Sequence, residues 1–180
     1  MNTFFTSDQH FGHKNIIKYA ERPFSSIDEM HESIIKKHNE VVKHNDVVFM
    51  GGDTALGSTS FLLEILTRLN GKFFVVIGGH DHAMRAITKH RMCKKIIKSG
   101  DIIDTKVNGQ MMTLCHYPMR SWHASYHGSL LFYGHIHHKE TTLYPNSLNI
   151  GVDLHNFYPV EWESALEIIK NNNIRLEGRR

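Results

Sequence analysis

Phe73-Phe74-Val75-Val76-Ile77-Gly78-Gly79-His80-Asp81 is the stretch on which the fold turns. Five consecutive apolar residues, β-branched and aromatic, read as a strand, and their lack of alternation predicts cover on both faces. Two glycines then allow a sharp turn, and a histidine and an aspartate follow at once. Four other apolar runs share the design. Thr3 to Thr6 leads to Asp8-Gln9-His10, and Val47 to Met50 leads to Gly51-Gly52-Asp53. Met111 to Leu114 leads to His116, and Leu130 to Tyr133 leads to Gly134-His135-Ile136-His137. In open α/β sheets ligands bind in the crevice beyond the carboxyl ends of the strands, so five such ends predict one shared site.

Helical patterns lie between these runs. Ile27, Met30, Ile34 and Val41 recur at helical spacing, and Ser26-Ile27-Asp28-Glu29 is a capping box, which predicts a helix from about Ile27 to Val42. Further helices are expected over Phe61 to Leu69, stopping at Asn70-Gly71, and over Ala83 to Lys98, stopping at Ser99-Gly100. A last one, about Glu161 to Lys170, follows Pro159. Ile102 to Val107 and Gln110 to Cys115 flank Asn108-Gly109, a strong hairpin signal. Strand and helix alternate early and hairpins dominate late, so the expected class is α/β with a mixed sheet.

Composition sets the frame. With 180 residues, 41% of them hydrophobic and 22% charged, the chain suits one domain with a buried core and excludes a disordered or fibrous protein. The longest apolar run, Phe73 to Ile77, is far short of a membrane span. The N-terminus lacks the pattern of a secretory signal, and Cys93 and Cys115 are the only cysteines, so a cytoplasmic protein without a disulfide scaffold is expected. A net charge of +3 is too small to indicate nucleic-acid binding. Histidine is the outlier: 15 of 180 residues. It is the commonest transition-metal ligand.

The spacing carries chemistry. In an extended segment residues i and i+2 point the same way, which would turn Asp8 with His10, and His135 with His137, toward one site. Mixed carboxylate and imidazole donors suit manganese, iron, zinc or nickel better than calcium or magnesium. Two aspartates and four histidines over-supply a single ion, so two ions sharing a carboxylate are expected, an arrangement used in phosphoryl hydrolysis.

Asp8-x-His10, Gly52-Asp53, Gly79-His80-Asp81, His116 and Gly134-His135-x-His137, in this order, resemble the motifs of the calcineurin-like metallophosphoesterase superfamily. Ser7-Asp8-Gln9-His10-Phe11-Gly12-His13 and Cys115-His116-Tyr117-Pro118 resemble its small prokaryotic and phage members. The ordered set is specific; each motif alone is weak. The resemblance implies a two-sheet mixed β-sandwich flanked by helices, layered α/β/β/α, in a single domain over residues 1–180 without a cap. It further implies two divalent transition-metal ions, manganese foremost, with iron, nickel or zinc as alternatives. Asp8, His10 and His137 would hold the first, His116 and His135 the second, and Asp53 would bridge them. A hydroxide between the ions would attack phosphorus in line, His80 would stabilise the phosphoryl oxygens or protonate the leaving group, and Asp81 would orient His80. The implied substrate is a small phosphoester, with a nucleotide-like phosphodiester ahead of a monoester.

One position departs from the family pattern: Gly79 stands where an asparagine normally ligates the second metal. The expected consequence is a weaker second ion, with nearby His82 as a substitute donor, or a degenerate enzyme serving as a binding scaffold. Among the remaining residues, Arg120, Trp122 and His13 are candidates for substrate contact, Lys14 and Arg22 lesser ones, while His31, His38, His44 and His90 receive no role. Cys115 neighbours His116 and is therefore expected on the opposite sheet face, in the core.

Overall fold

A computed structural model describes residues 1–138 and 144–177, with the side chains of the last two left out. Along the chain run β1 (Thr3–Thr6), α1 (Ile16–Tyr19), α2 (Ile27–Val41), β2 (Val47–Met50), α3 (Thr59–Arg68), β3 (Lys72–Val76) and α4 (His82–Lys89). There follow β4 (Ile96–Gly100), β5 (Ile102–Val107), β6 (Gln110–Cys115), β7 (Leu130–Tyr133), β8 (Ser147–Asn149), β9 (Val160–Glu161) and α5 (Trp162–Glu177). The strands form two mixed sheets, of order β4-β3-β2-β1-β9 and β5-β6-β7-β8. In the first, β1 to β4 are parallel and β9 runs against β1. In the second, β5 and β6 form a hairpin while β6, β7 and β8 are parallel.

Alternation along the strands sorts the core. Phe4, Val48, Met50, Phe73 and Val75 face α2, α3 and α4, where Met30, Ile34, Leu62, Leu66, Met84 and Ile87 meet them. Phe5, Phe49 and Val76 face the other way, onto Met112, Leu114, Leu130 and Phe132 of the second sheet, with Trp162, Ala165 and Ile169 of α5 joining them. The rings of Phe5 and Phe132 stack across the two sheets with centroids 4.0 Å apart, which adds about 0.5–1.5 kcal/mol to the burial of the rings themselves. The covered strands thus explain the continuous apolar runs of the sequence. On the outer face of the second sheet Cys115 joins Leu131 and Tyr133 under Met119, Trp122 and Ile136.

Two local readings hold closely. Ser26 caps α2 by accepting from Glu29 N, with Glu29 in the first turn. Asn108 and Gly109 both take positive φ in the β5–β6 turn, as a tight hairpin demands. One reading fails: the helix expected over Ala83 to Lys98 ends at Lys89, and Ile96 to Gly100 is the edge strand β4. Arg91 adopts φ 50°, and Met92 N donates to Ile87 O, so the helix stops without the glycine that usually marks such a stop. Ile96 then pairs with Phe73 of β3, Ile97 falls in a bulge, and pairing resumes at Lys98 with Phe74. Short α1, β8 and β9 carry too few residues for a sequence pattern. No described helix is long and apolar enough to cross a membrane.

Candidate metal centre

The parallel strands β1, β2, β3 and β6, β7 end at the same place, and the loops beyond them are sewn together by main-chain bonds. Asp8 N donates to Gly52 O, His10 N to Asp53 O, and Gly134 N to His116 O, each at 3.0 Å. Their side chains gather into two groups, Asp8, His10 and His137, and Asp53, His116 and His135. Within each group one ligand atom per residue lies within 4.8 Å of the others, so each group could hold a metal ion.

Asp53 connects the groups. Its Oδ1 accepts from the His80 main-chain N–H at 2.9 Å, which fixes the carboxylate. Its Oδ2 faces His116 Nε2 at 3.4 Å and His10 Nε2 at 3.7 Å, one imidazole from each group. Both nitrogens are buried and have no hydrogen-bond partner. A buried polar atom without a partner is costly unless something else binds it. His116 Nδ1 lies 2.9 Å from Gly51 O, so it carries the proton and leaves Nε2 as a lone pair aimed into the site. His137 Nδ1 is likewise 2.6 Å from Asp153 Oδ2. Donor type, orientation and orphaned atoms all fit divalent transition-metal ions.

The backbone is strained where these ligands sit. Asp8, His10, Asp53, His135 and His137 all have positive φ, between 49° and 74°, five of the twelve such non-glycine residues among the described residues. Each costs on the order of 1–3 kcal/mol and persists only where the surroundings enforce it. Asp8 and His10 therefore share a side through left-handed turns, correcting the expectation of an extended segment. His135 and His137 also take left-handed backbone, yet they fall in different groups, so the expectation that they face one site together does not hold. Glycine is required next to them: a Cβ on Gly78 would overlap the Asp53 carboxylate, and one on Gly134 would overlap Asp8 and Ser7.

Electrostatics follow burial. Asp8, fully buried, is pushed up to about 6, with His116 and His137 opposing that rise. Burial lowers His10 to about 3 against the pull of Asp53. Asp53 goes the other way: burial would raise it, but His116 and the His80 N–H hold it well below the usual carboxylate range. His116 is raised, because Asp53 and Asp8 outweigh its desolvation. Two buried carboxylates thus demand positive charge here, and a metal ion would meet that demand.

The other candidates separate. His80 and His13 line a cavity of about 330 Å³ beside His10, Asp53, His135 and His137, bounded by Ile16 and Tyr19 of α1. The His80 ring lies 5.3 Å from those of both His10 and His13. Asp81 does not reach the His80 ring. Its carboxylate accepts from Gly78, Thr54 and Ala55 N–H at 2.9, 2.8 and 3.3 Å, so it holds two ligand loops in register. Trp122 does not face this cavity: its indole N–H donates to Ser129 O and its ring packs on the outer face of the second sheet. Arg120 is exposed and does not line it either. Arg22 is buried on Asp153 and on two main-chain carbonyls, which excludes it as a substrate contact. His82 is exposed at the start of α4 and belongs to neither ligand group. Of the histidines given no role, His38 is buried with Nε2 2.8 Å from Asn70 O, and His31 Nε2 accepts from Gly12 N.

Asp153 escaped the sequence reading. It follows β8, which at three residues is too short to read as a strand, so a sixth strand end bearing a polar residue went unnoticed. Asn149, at the end of the same strand, donates to His137 O at 3.0 Å.

Comparison with known proteins adds the following. The chain is 31% identical over 179 residues to the uncharacterized protein MJ1445 of Methanocaldococcus jannaschii, covering 95% of this chain and 93% of that one. It is 23% identical over 180 residues to the Gene 66 protein of Mycobacterium phage L5, covering 84% and 86%. Among solved structures, the protein of unknown function AQ665 from Aquifex aeolicus superposes with TM-score 0.75 at 21% identity over 93% of this chain and 99% of its own, so the two share a fold. No family model matches the chain.

Proposed function

The chain belongs to the same family as MJ1445 of Methanocaldococcus jannaschii, and from the geometry of its ligand cluster we propose that it is a metal-dependent phosphoesterase, acting on a small, nucleotide-like phosphodiester. One observation carries this reading: a single oxygen, Asp53 Oδ2, faces an unpartnered buried imidazole nitrogen from each of two ligand groups. A carboxylate shared in that way is what a pair of ions requires, and the ordered motifs resembling the calcineurin-like metallophosphoesterases support it.

Asp8, His10 and His137 would hold one ion, His116 and His135 the other, and Asp53 both; manganese is the first choice. When bound, such a pair supplies Lewis acidity toward a phosphoryl oxygen and an activated water nucleophile at neutral pH. The protein's own part is positional. Asp53 is oriented by the His80 N–H, and His116 by Gly51 O. His80 and His13 line the cavity wall and would hydrogen-bond the phosphoryl oxygens or give a proton to the leaving oxygen. Ile16 and Tyr19 offer an apolar wall to the organic part of the substrate.

The test is hydrolysis of bis-nitrophenyl phosphate and nitrophenyl phosphate by metal-stripped protein given back manganese, nickel, zinc, iron or magnesium. Diester turnover restored by manganese and reduced at least about 100-fold in Asp53→Asn is expected. Turnover of the monoester alone would replace the diesterase by a phosphomonoesterase. Silence with every metal would reject catalysis in favour of a binding scaffold.

A further inference from the structure

The 19 residues from His82 to Gly100 carry six of the chain's 21 lysines and arginines and not one aspartate or glutamate. Elsewhere 15 basic residues face 18 acidic ones, so the small net charge averages two unlike parts of the molecule. Two of the six are already committed. Lys95 Nζ donates to Leu66, Thr67 and Leu69 O at 2.7–3.0 Å and closes the end of α3, and Arg85 pairs with Asp101 at 3.4 Å. Lys89, Arg91, Lys94 and Lys98 are exposed, and their side chains have no ion pair or hydrogen bond among the described residues.

Arg91, Lys94 and Lys98 line a groove of about 610 Å³ between the end of α4 and the open edge of β4. Ile87 and Ile97 form part of its floor, and no acidic or aromatic side chain lines it. Its last residue, Ser99, precedes Gly100, whose carbonyl accepts from Ile77 N at 3.1 Å just before the Gly78-Gly79-His80 turn.

Lysines on an edge strand guard it against pairing with other chains. That accounts for Lys98, on β4, but not for Lys89 on α4 or for Arg91 and Lys94 on the connection. Unpaired cations gathered on one segment, three of them lining one groove, attract phosphates, with release of counterions as the driving force. Binders of single strands add aromatic platforms for unstacked bases, and this groove has none. We propose that the groove between α4 and β4 binds the phosphate backbone of double-stranded nucleic acid, without reading base sequence. This surface is independent of the chemistry proposed for the metal centre.

The test is fluorescence anisotropy of a labelled duplex of about 20 base pairs with the full-length, metal-free chain in chelator, so that hydrolysis plays no part. Four phosphate contacts predict a slope of log K against log salt of about −3 to −4, hence about a 100-fold loss of affinity between 50 and 200 mM salt. The quadruple variant Lys89→Glu, Arg91→Glu, Lys94→Glu, Lys98→Glu is expected to abolish binding while keeping its circular dichroism and melting temperature. A second quadruple variant, Lys36→Glu, Lys43→Glu, Lys106→Glu, Lys170→Glu, makes the same charge change elsewhere and is expected to keep most of it. No binding by the unaltered chain at 50 mM salt, equal losses in the two variants, or tighter binding of single strands or of polyglutamate than of duplex would each overturn the proposal.

Discussion

Arg22 and Asp153 form a buried two-pronged pair, Nε to Oδ1 at 2.7 Å and Nη2 to Oδ2 at 3.0 Å. The free sides of both groups reach the candidate metal centre. Arg22 donates to Asp8 O and Gln9 O at 2.7 and 2.8 Å, and Asp153 receives His137 Nδ1 at 2.6 Å. One ion pair thus fixes the backbone of one ligand and the imidazole of another, both in the same ligand group. Asp153→Asn is therefore expected to weaken metal binding in the Asp8, His10 and His137 group by about 10–100-fold, leaving the other group unchanged. Competition titration against a chelator would show this, and an equal fall at both sites would reject it.

Removing the cation is expected to cost stability as well. Arg22→Met strands a buried carboxylate and two carbonyls, which predicts a loss of about 3–5 kcal/mol. Urea unfolding of the metal-free protein measures it, and a loss below about 1 kcal/mol would mean that the pair contributes little.

Neighbouring glycines should behave oppositely. A Cβ on Gly78 overlaps the Asp53 carboxylate and main chain, whereas one on Gly79 meets only the Tyr117 hydroxyl, at 3.7 Å. Gly78→Ala is expected to lower stability by about 1–3 kcal/mol and to impair metal binding. Gly79→Ala should change stability by less than about 0.5 kcal/mol.

The same open space allows a direct test of the departure at position 79. Gly79→Asn is expected to add an amide oxygen donor beside Asp53, His116 and His135 and to tighten that ion. Two titrations, before and after the substitution, decide the matter. An unchanged second affinity would show that glycine there is no handicap.

Stability should fall in mild acid for a reason remote from the metal centre. Burial lowers His38 from 6.5 to about 4, with Lys95 adding to the effect and the bond to Asn70 O opposing it. Its folded pKa lies below its unfolded one, so the unfolded chain binds the extra proton between these values. Stability from this residue is complete above pH 6.5 and is lost progressively down to about pH 4. The full loss is on the order of 3 kcal/mol. His38→Gln, which keeps a donor to the carbonyl, is expected to flatten that part of the profile in thermal melts at pH 4 to 7.

Most of the ligand cluster was legible because its signals are local. β1, β2 and β7 occupy the residues expected of them, and each turns directly into a ligand-bearing loop. The resemblance implied Asp8, His10 and His137 at one ion, His116 and His135 at the other and Asp53 between them; in the structure these six residues form two groups that could each hold an ion. The placement of Trp122 was not legible, because its half-buried ring packs through a loop onto the second sheet and does not line the cavity, a long-range contact that no local pattern encodes.

By itself the sequence determined β1, β2, β3, β5, β6 and β7, the hairpin at Asn108-Gly109 and the order of aspartates and histidines at the strand ends, since apolar runs, glycines and turn residues act within a few positions. Only the tertiary structure decided that Asp153 holds His137, that Arg22 is a strut and not a substrate contact, and that Asp53 presents one oxygen to two imidazoles. Arg22 and Asp153 are 131 residues apart. No local preference encodes such a bond; it forms because two sheets must close on a common core, and that closure also holds five candidate ligands in backbone conformations they would not adopt alone.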